Sequence, residues 1–158
     1  MLSTDVAMRL LVAALCGAAL GLEREYHQKP AGLRTNMLIA IGSALFTLVS
    51  VEMVAGSPDR IAAQIVTGIG FLGGGAILRE RGSVHGMTTA ATIWVNAAVG
   101  MAAGAGHFRT AIATTVFSLV VLALLLPIER YFERRHSNLE RQAERRGSNL
   151  EPRTTADK

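Results

Sequence analysis

The fold class is decided by the stretch Val116-Phe117-Ser118-Leu119-Val120-Val121-Leu122-Ala123-Leu124-Leu125-Leu126. It belongs to an apolar segment at about 109–128, where Arg109 is the sole charged residue. A helix that crosses a bilayer needs about 20 mostly apolar residues, and this segment meets that length. Four further stretches meet it as well, at about 5–22, 34–55, 61–78 and 87–104. The pattern predicts an all-α polytopic membrane protein with about five transmembrane helices.

The overall composition agrees with a membrane protein. Half of the 158 residues are hydrophobic and 18% are charged, with the charges clustered between long apolar runs. A soluble helical bundle would place polar stripes along each helix, and these runs lack them. The first run follows a poor signal-peptide start, with Arg9 beside Asp5, and further apolar runs come after it. We therefore expect it to be a retained span rather than a cleaved signal.

The distribution of Lys and Arg predicts the orientation. With five spans and the tail inside, 13 of these residues fall on the cytoplasmic side and 3 on the outer side. Because Lys/Arg bias sets orientation, we expect the N-terminus outside and the C-terminus in the cytoplasm. Residues 1–128 are predicted to form the transmembrane domain, and 129–158 a charged, partly disordered cytoplasmic tail. The excess of Arg is interpreted as a topology signal and lipid contact, with no nucleic-acid partner.

Small residues predict where the helices touch, because lipid gives helices no hydrophobic reason to associate and close backbone approach must supply the attraction. Ladders of small or polar residues at four-residue spacing occur in three spans: Ala13, Gly17 and Gly21; Gly70 and Gly74; Asn96, Gly100 and Gly104. Each glycine costs about 1 kcal/mol in a helix relative to Ala, so packing or function must offset that cost. We expect the first four spans to form a tightly packed core, with the fifth more peripheral.

Charged residues near the cytoplasmic ends of the first two spans form the main polar cluster. Glu23, Arg24 and Glu25 end the first span, and Arg34 begins the second. Opposite charges at one depth near hydrocarbon form charge-assisted pairs, which predicts an interfacial Glu–Arg clamp. A weak Mg²⁺ site at Glu23 and Glu25, with Glu80 on the same side, is the compatible alternative, since Mg²⁺ prefers oxygen ligands.

No machinery for covalent catalysis is evident. The GxGxxG pattern at 68–73 lacks the preceding strand and the later acidic residue of a dinucleotide site, and no phosphate-binding loop occurs. The Ser and Thr residues of the spans have no His base at a similar depth. We predict a protein that is not an enzyme, with no catalytic residue and no cofactor other than Mg²⁺.

These segments together resemble the MgtC/SapB family of bacterial inner-membrane proteins. The matching pieces run in order through about residues 6–127: Gly21-Leu22-Glu23-Arg24-Glu25, Lys29-Pro30-Ala31-Gly32-Leu33-Arg34-Thr35, Gly42-Ser43, Gln64-Ile65-Val66-Thr67-Gly68-Ile69-Gly70-Phe71-Leu72-Gly73-Gly74-Gly75 and Gly86-Met87-Thr88-Thr89-Ala90-Ala91, with Trp94, Ala97 and Gly100. Many family members carry a folded cytoplasmic domain after the last span, and here a charged tail of about thirty residues stands in its place. The chain therefore resembles the short members that lack that domain.

The resemblance implies a multi-pass protein of the bacterial inner membrane with a role in adaptation to low magnesium and, in pathogens, in virulence. Its functional residues are then expected to be Gly21, Glu23, Arg24, Glu25, Lys29, Gly32, Arg34, Thr35, Gln64, Gly68, Gly70, Gly73, Gly74, Gly75, Gly86, Thr88, Thr89, Trp94, Asn96 and Gly100.

Two functions of different classes follow from these observations. The favoured one is a regulator or accessory subunit in magnesium homeostasis that docks on other membrane proteins through its glycine-rich faces. The alternative is a transporter or channel for Mg²⁺ or another cation, with Glu23, Glu25 and Arg34 at its gate. The expected partners are the lipid bilayer, other membrane proteins and, for a pore, further copies of the chain.

Overall fold

The computed structural model describes residues 4–52, 58–80 and 83–125, and its secondary structure is almost entirely helical. In chain order the elements are α1 (Thr4–Tyr26), α2 (Leu33–Glu52), α3 (Pro58–Gly75), β1 (Leu78–Glu80), β2 (Ser83–His85), α4 (Met87–Gly104) and α5 (Phe108–Leu125). The chain divides into one unit over Met1–Leu119 and another over Val120–Lys158. The packing described below belongs to the first unit. The predicted tail at 129–158 lies outside the described residues.

Three of the described helices are long and apolar enough to cross a membrane: Thr4–Tyr26, Leu33–Val51 and Phe108–Leu125. The all-α membrane fold class is therefore confirmed. Helices α3 and α4 correspond to the predicted third and fourth spans, whose Gly, Ala and Thr content lowers their hydropathy. The number of spans and their orientation remain predictions.

Two helix ends differ from the sequence prediction. Helix α1 continues to Tyr26, one turn beyond the predicted end at residue 22, so Glu23, Arg24 and Glu25 are helical. The turn after it satisfies the last carbonyls of the helix, with the Lys29 N–H donating to the Arg24 oxygen at 2.9 Å. Helix α3 ends at Gly75 and not at residue 78, because the following segment turns into a strand.

A short antiparallel hairpin between α3 and α4 was not predicted. Strands β1 and β2 pair Leu78 with His85 and Arg79 with Val84. Three residues per strand give too few apolar alternations for a strand signal in the sequence. The hairpin ends at Gly86, whose φ of 89° is a left-handed conformation that suits glycine.

Helix α2 lies between α1 and α4 in the tightest part of the fold. A methyl group added at Gly17 of α1 would come within 2.8 Å of the Ala40 Cβ, and one added at Gly100 of α4 would overlap the Ala40 carbonyl. Likewise, a methyl group at Gly104 would overlap the carbonyl of Ala44. The predicted close approach at the ladders of the first and fourth spans is thus confirmed.

Helix α3 does not share this close packing, so the prediction of one tight core across four spans is wrong for it. It contacts α4 through Ile65 and Ile69. Of its glycines, Gly73 is the one where an added Cβ would reach van der Waals contact with a neighbour, Ala90. A methyl group added at any of its other glycines would meet no atom within 4 Å, which holds for Gly68, Gly70, Gly74 and Gly75. A glycine-rich helix surface allows another helix to approach closely. On α3 no other helix of the described chain lies against that surface.

Helix α5 is peripheral, as predicted. Within the first unit its Ala111 and Thr115 are buried, whereas Ile112, Val116 and Phe117 are exposed. The Thr115 hydroxyl donates to the Ala111 carbonyl at 2.8 Å within the same helix, so it has no need of a partner on another helix.

Candidate functional site

Arg24 connects the end of α1 to the beginning of α4. Its side chain is buried, with the residue 2% exposed, and Nη2 donates a hydrogen bond to Oγ1 of Thr89 at 3.1 Å. Thr89 is itself buried in the first turn of α4. A guanidinium is not deprotonated in proteins, so this position holds a permanent positive charge inside the helix bundle.

Glu23 lies beside Arg24 and is almost fully withdrawn from solvent. Its side chain is 10% exposed; Oε1 is 3.1 Å from Nδ1 of His27, and Oε2 is 4.0 Å from Nη1 of Arg24. The same Nδ1 lies 2.9 Å from the Glu23 carbonyl oxygen. Because burial strengthens electrostatic interactions, Glu23 and Arg24 form a coupled charge cluster, with His27 as a further polar neighbour of the carboxylate.

Glu25 has a different partner, on α2. Its Oε2 accepts a hydrogen bond from the Leu33 N–H at 3.1 Å and also contacts Gly32, where a Cβ would overlap it. The first N–H groups of a helix lack intrahelical partners, and a carboxylate there is favoured by the helix dipole. Glu25 thus caps α2.

The predicted ion pair between these carboxylates and Arg34 is wrong for the described residues. Glu25 is satisfied by the backbone of α2, and Glu23 faces His27 and Arg24. Arg34 is exposed, as are the neighbouring Thr35 and the loop residue Lys29. The hairpin between α1 and α2 is closed by a carboxylate on a helix N-terminus in place of a Glu–Arg clamp.

Two buried asparagines form the second part of the site. Asn36 of α2 and Asn96 of α4 are both fully buried, and Nδ2 of Asn96 donates to the Asn36 backbone oxygen at 2.6 Å and to its Oδ1 at 3.1 Å. Asn36 in turn donates from Nδ2 to the carbonyls of Ala31 and Gly32. The sequence singled out Asn96 and missed Asn36. A signal was available, since Asn36, Ala40 and Ala44 repeat at the same four-residue spacing as the glycine ladders.

We expect Asn96→Ala to destabilise the folded protein by about 1–2 kcal/mol, the range found for interhelical hydrogen bonds in model transmembrane peptides. Thr67→Ala is the matched control, because Thr67 is exposed and its hydroxyl donates to the Ala63 carbonyl of its own helix at 3.0 Å. Thermal unfolding of the purified proteins in detergent measures both. Equal stability losses for the two variants would contradict a structural role for the asparagine pair.

Gly86 and Thr88 shape the beginning of α4. A Cβ at Gly86 would overlap the carbonyl of Ala76, so no larger residue fits where the hairpin returns to α4. The Thr88 side chain is exposed, and its carbonyl accepts a hydrogen bond from Oγ1 of Thr92 at 2.8 Å. This turn therefore places Thr89, one residue later, against Arg24.

Two cavities lined by described residues lie beside α3. One of about 450 Å³ lies between α2 and α3 and is lined by Gln64 and Gly68 among other residues. The other, of about 190 Å³, lies between α3 and α4 and is lined by Trp94. Trp94 is half-exposed at the middle of α4.

The remaining predicted residues divide between packing and open surface. Gly21 lies against α2, where an added Cβ would come within 2.6 Å of the Leu33 Cα. Gly70, Gly74 and Gly75 face open space, as described above. The described residues contain no group of three or more His, Cys, Asp or Glu side chains that could hold a metal ion. Glu23 and Glu25 have separate partners and are not brought together.

The geometry is that of a small helical membrane protein with a charged cluster at one end of a glycine-packed bundle. A profile of the MgtC family matches residues 10–131. The chain belongs to the MgtC family. Protein MgtC of Salmonella typhimurium (strain LT2) is 46% identical over 145 residues, which cover 86% of this chain and 63% of that protein.

Two further proteins have a similar sequence identity to this chain. Protein MgtC of Brucella abortus (strain 2308) is 50% identical over 123 residues, covering 77% of this chain and 51% of that protein. An uncharacterized protein of Synechocystis is 49% identical over 129 residues, covering 81% and 55%. The chain spans between about half and two thirds of the length of these relatives. No solved structure matches it. The family resemblance seen in the sequence is confirmed.

Proposed function

We propose that this chain is a multi-pass inner-membrane protein that acts in magnesium homeostasis as a regulator or accessory subunit of another membrane protein. The observation that carries the proposal is the outer face of α3, defined by Thr67, Gly70, Phe71 and Gly74. Phe71 is 83% exposed, and methyl groups added at Gly70 and Gly74 would meet no atom within 4 Å. This face is shaped for close approach and has no partner within the described chain.

Physical chemistry favours a protein partner for this face over lipid alone. Small residues let two helix backbones approach closely, which is how helices associate in a bilayer. Helix α3 is long enough for a span but less apolar than α1, α2 and α5, the described helices that qualify as membrane spans. A second helix against the outer face would bury its exposed backbone and offset the cost of its glycines.

The topology within the proposal follows the charge bias. Five spans with the N-terminus outside place 13 of the 16 Lys and Arg residues on the cytoplasmic side. Helices α3 and α4 then span the bilayer next to the more apolar helices α1, α2 and α5. The magnesium role, and virulence where the host is a pathogen, rest on membership of the MgtC family, and no covalent catalysis is part of the proposal.

Growth of a deletion strain at low magnesium tests the docking face. We expect wild-type protein to restore growth and Gly74→Leu to fail, because leucine would fill the outer face at a position where an added Cβ meets no atom within 4 Å. Ala91→Leu is the matched control, since Ala91 is exposed on α4 outside that face. Full rescue by Gly74→Leu at equal membrane abundance would contradict the proposal.

The alternative, a Mg²⁺ or other cation transporter, is favoured by one observation. The Glu23 carboxylate is nearly buried near the end of a span, where a carboxylate is costly unless it is paired or functional. Magnesium flux into liposomes that hold only the purified protein decides between the two functions. Flux that Glu23→Gln abolishes would overturn the regulator in favour of the transporter.

A further inference from the structure

The larger of the two cavities is an apolar groove between α2 and α3, with a volume of about 450 Å³. Its side walls are Leu38, Ile39, Phe46, Ile61, Ile65 and Leu72. Gly42 and Gly68 also line it, and a methyl group added at either glycine would meet no atom within 4 Å. The groove is therefore deepest where the side chains are missing, and a larger residue at these two positions would fill it.

The dimensions of the groove match one lipid chain. Along α2 it runs from Leu38 to Phe46, which is about 12 Å at the helical rise of 1.5 Å per residue. A single leaflet of the hydrocarbon core is about 15 Å thick, half of the whole core. An extended acyl chain is apolar, narrow and of this length.

Positive charge is concentrated at one mouth of the groove. Arg34 lies one helical turn before Leu38 on the same side of α2, and it is exposed. Among the described residues it makes no ion pair and its side chain makes no hydrogen bond. Arg79 follows the end of α3 at this mouth and is exposed as well.

The opposite mouth carries less positive charge among the described side chains. Among the described charged side chains, Arg34 and Arg79 are exposed at the first mouth, and Arg60 alone is exposed at the other. Basic pockets between membrane helices bind anionic lipid headgroups, and Arg–phosphate pairs are among the stronger charge-assisted hydrogen bonds. The arginines at the first mouth therefore favour an anionic lipid whose headgroup lies beside Arg34.

We propose that this groove binds an anionic phospholipid, with one acyl chain between α2 and α3 and the phosphate at Arg34. Arg79 adds to the positive field at the headgroup. This site is distinct from the outer face of α3, and Gly68 belongs to the groove while Gly74 belongs to that face. The proposed lipid site and the proposed docking function can therefore be tested independently.

Native mass spectrometry of the purified full chain tests the proposal, with phosphatidylglycerol and phosphatidylcholine of identical acyl chains as probes. Wild-type protein is expected to bind phosphatidylglycerol more tightly. Arg34→Gln should lower that affinity about tenfold, the loss expected for one hydrogen bond to a charged group, and leave phosphatidylcholine binding unchanged. Gly68→Leu should abolish tight binding of both lipids, and Gly42→Leu gives a second, independent filling of the groove.

Two matched controls separate the site from general lipid contact. Arg60→Gln removes an exposed arginine at the opposite mouth, and Ala91→Leu adds the same side chain outside the groove. Both should bind phosphatidylglycerol as the wild type does. Equal affinity of the wild type for the two lipids, or equal losses in Arg34→Gln and Arg60→Gln, would overturn the proposal. So would a dimer mass that Gly68→Leu removes, because a second copy would then occupy the groove.

Discussion

Replacing Arg24 with methionine is expected to destabilise the folded protein by about 3–5 kcal/mol, the loss seen when one partner of a buried charge pair is removed. Methionine keeps much of the apolar stem but removes the hydrogen bond to Thr89 and the cation 4.0 Å from the Glu23 carboxylate. That carboxylate would remain in a nearly buried position with less compensation. Denaturant unfolding in detergent micelles measures the loss.

Two further variants make the Arg24 prediction specific. The double variant Glu23→Gln/Arg24→Met also removes the carboxylate that Arg24→Met leaves without its cation. We therefore expect it to recover much of the stability that Arg24→Met loses. Arg34→Met removes an exposed arginine that makes no ion pair among the described residues and should change stability by less than about 0.5 kcal/mol. If Arg24→Met were as mild as Arg34→Met, or if the double variant were less stable than Arg24→Met, the coupled cluster would be contradicted.

The sequence predicted the helices well because the length of an apolar run is itself the physical requirement for a span. It predicted their ends less well. Helix α1 continues through Glu23, Arg24 and Glu25 because these residues are compatible with a helix and the breaker, Pro30, comes later. The hairpin at 78–85 was missed because three-residue strands leave almost no periodic signal.

The contacts within the site depended on helix rotation, which one sequence does not specify. Four-residue spacing placed Gly17 and Gly100 on packed faces, but it could not say that both face Ala40. In the same way Asn96 was recognisable as a polar residue within a span, whereas its partner Asn36 lies sixty residues away. Charge pairing was also ambiguous, and Glu25 took the free backbone of α2 in preference to Arg34.

The glycines of α3 show the limit of composition as a guide. Gly70 and Gly100 have the same signature in the sequence, a small residue at four-residue spacing in an apolar helix. One faces open space and the other faces a backbone carbonyl of α2. Spacing reports that a close approach is allowed, and only the three-dimensional arrangement reports whether the partner belongs to the same chain.

The same substitution at these two glycines should therefore change stability in opposite directions. Gly100→Ala is expected to destabilise the protein by about 1–3 kcal/mol, the usual cost of overpacking, because the new Cβ would overlap the Ala40 carbonyl and lie 2.9 Å from its Cα. Gly70→Ala meets no atom and gains helix propensity, up to about 1 kcal/mol. Thermal unfolding of both variants in one detergent measures the difference, and changes of the same sign would contradict the packing of α2 against α4.

A shift of α2 cannot easily relieve the overlap that Gly100→Ala creates, because α1 packs against the other side of α2. Moving α2 away from α4 would press Ala40 against Gly17 of α1, where a Cβ would already come within 2.8 Å of the Ala40 side chain. Because the group that Gly100→Ala meets is backbone, Ala40→Gly should not restore its stability. The same second substitution should partly rescue Gly17→Ala, whose new methyl group meets the Ala40 Cβ as well as the Asn36 carbonyl. If Ala40→Gly rescued Gly100→Ala but not Gly17→Ala, the described contacts would be contradicted. The Ala40 side chain would then face α4, and its backbone would face α1.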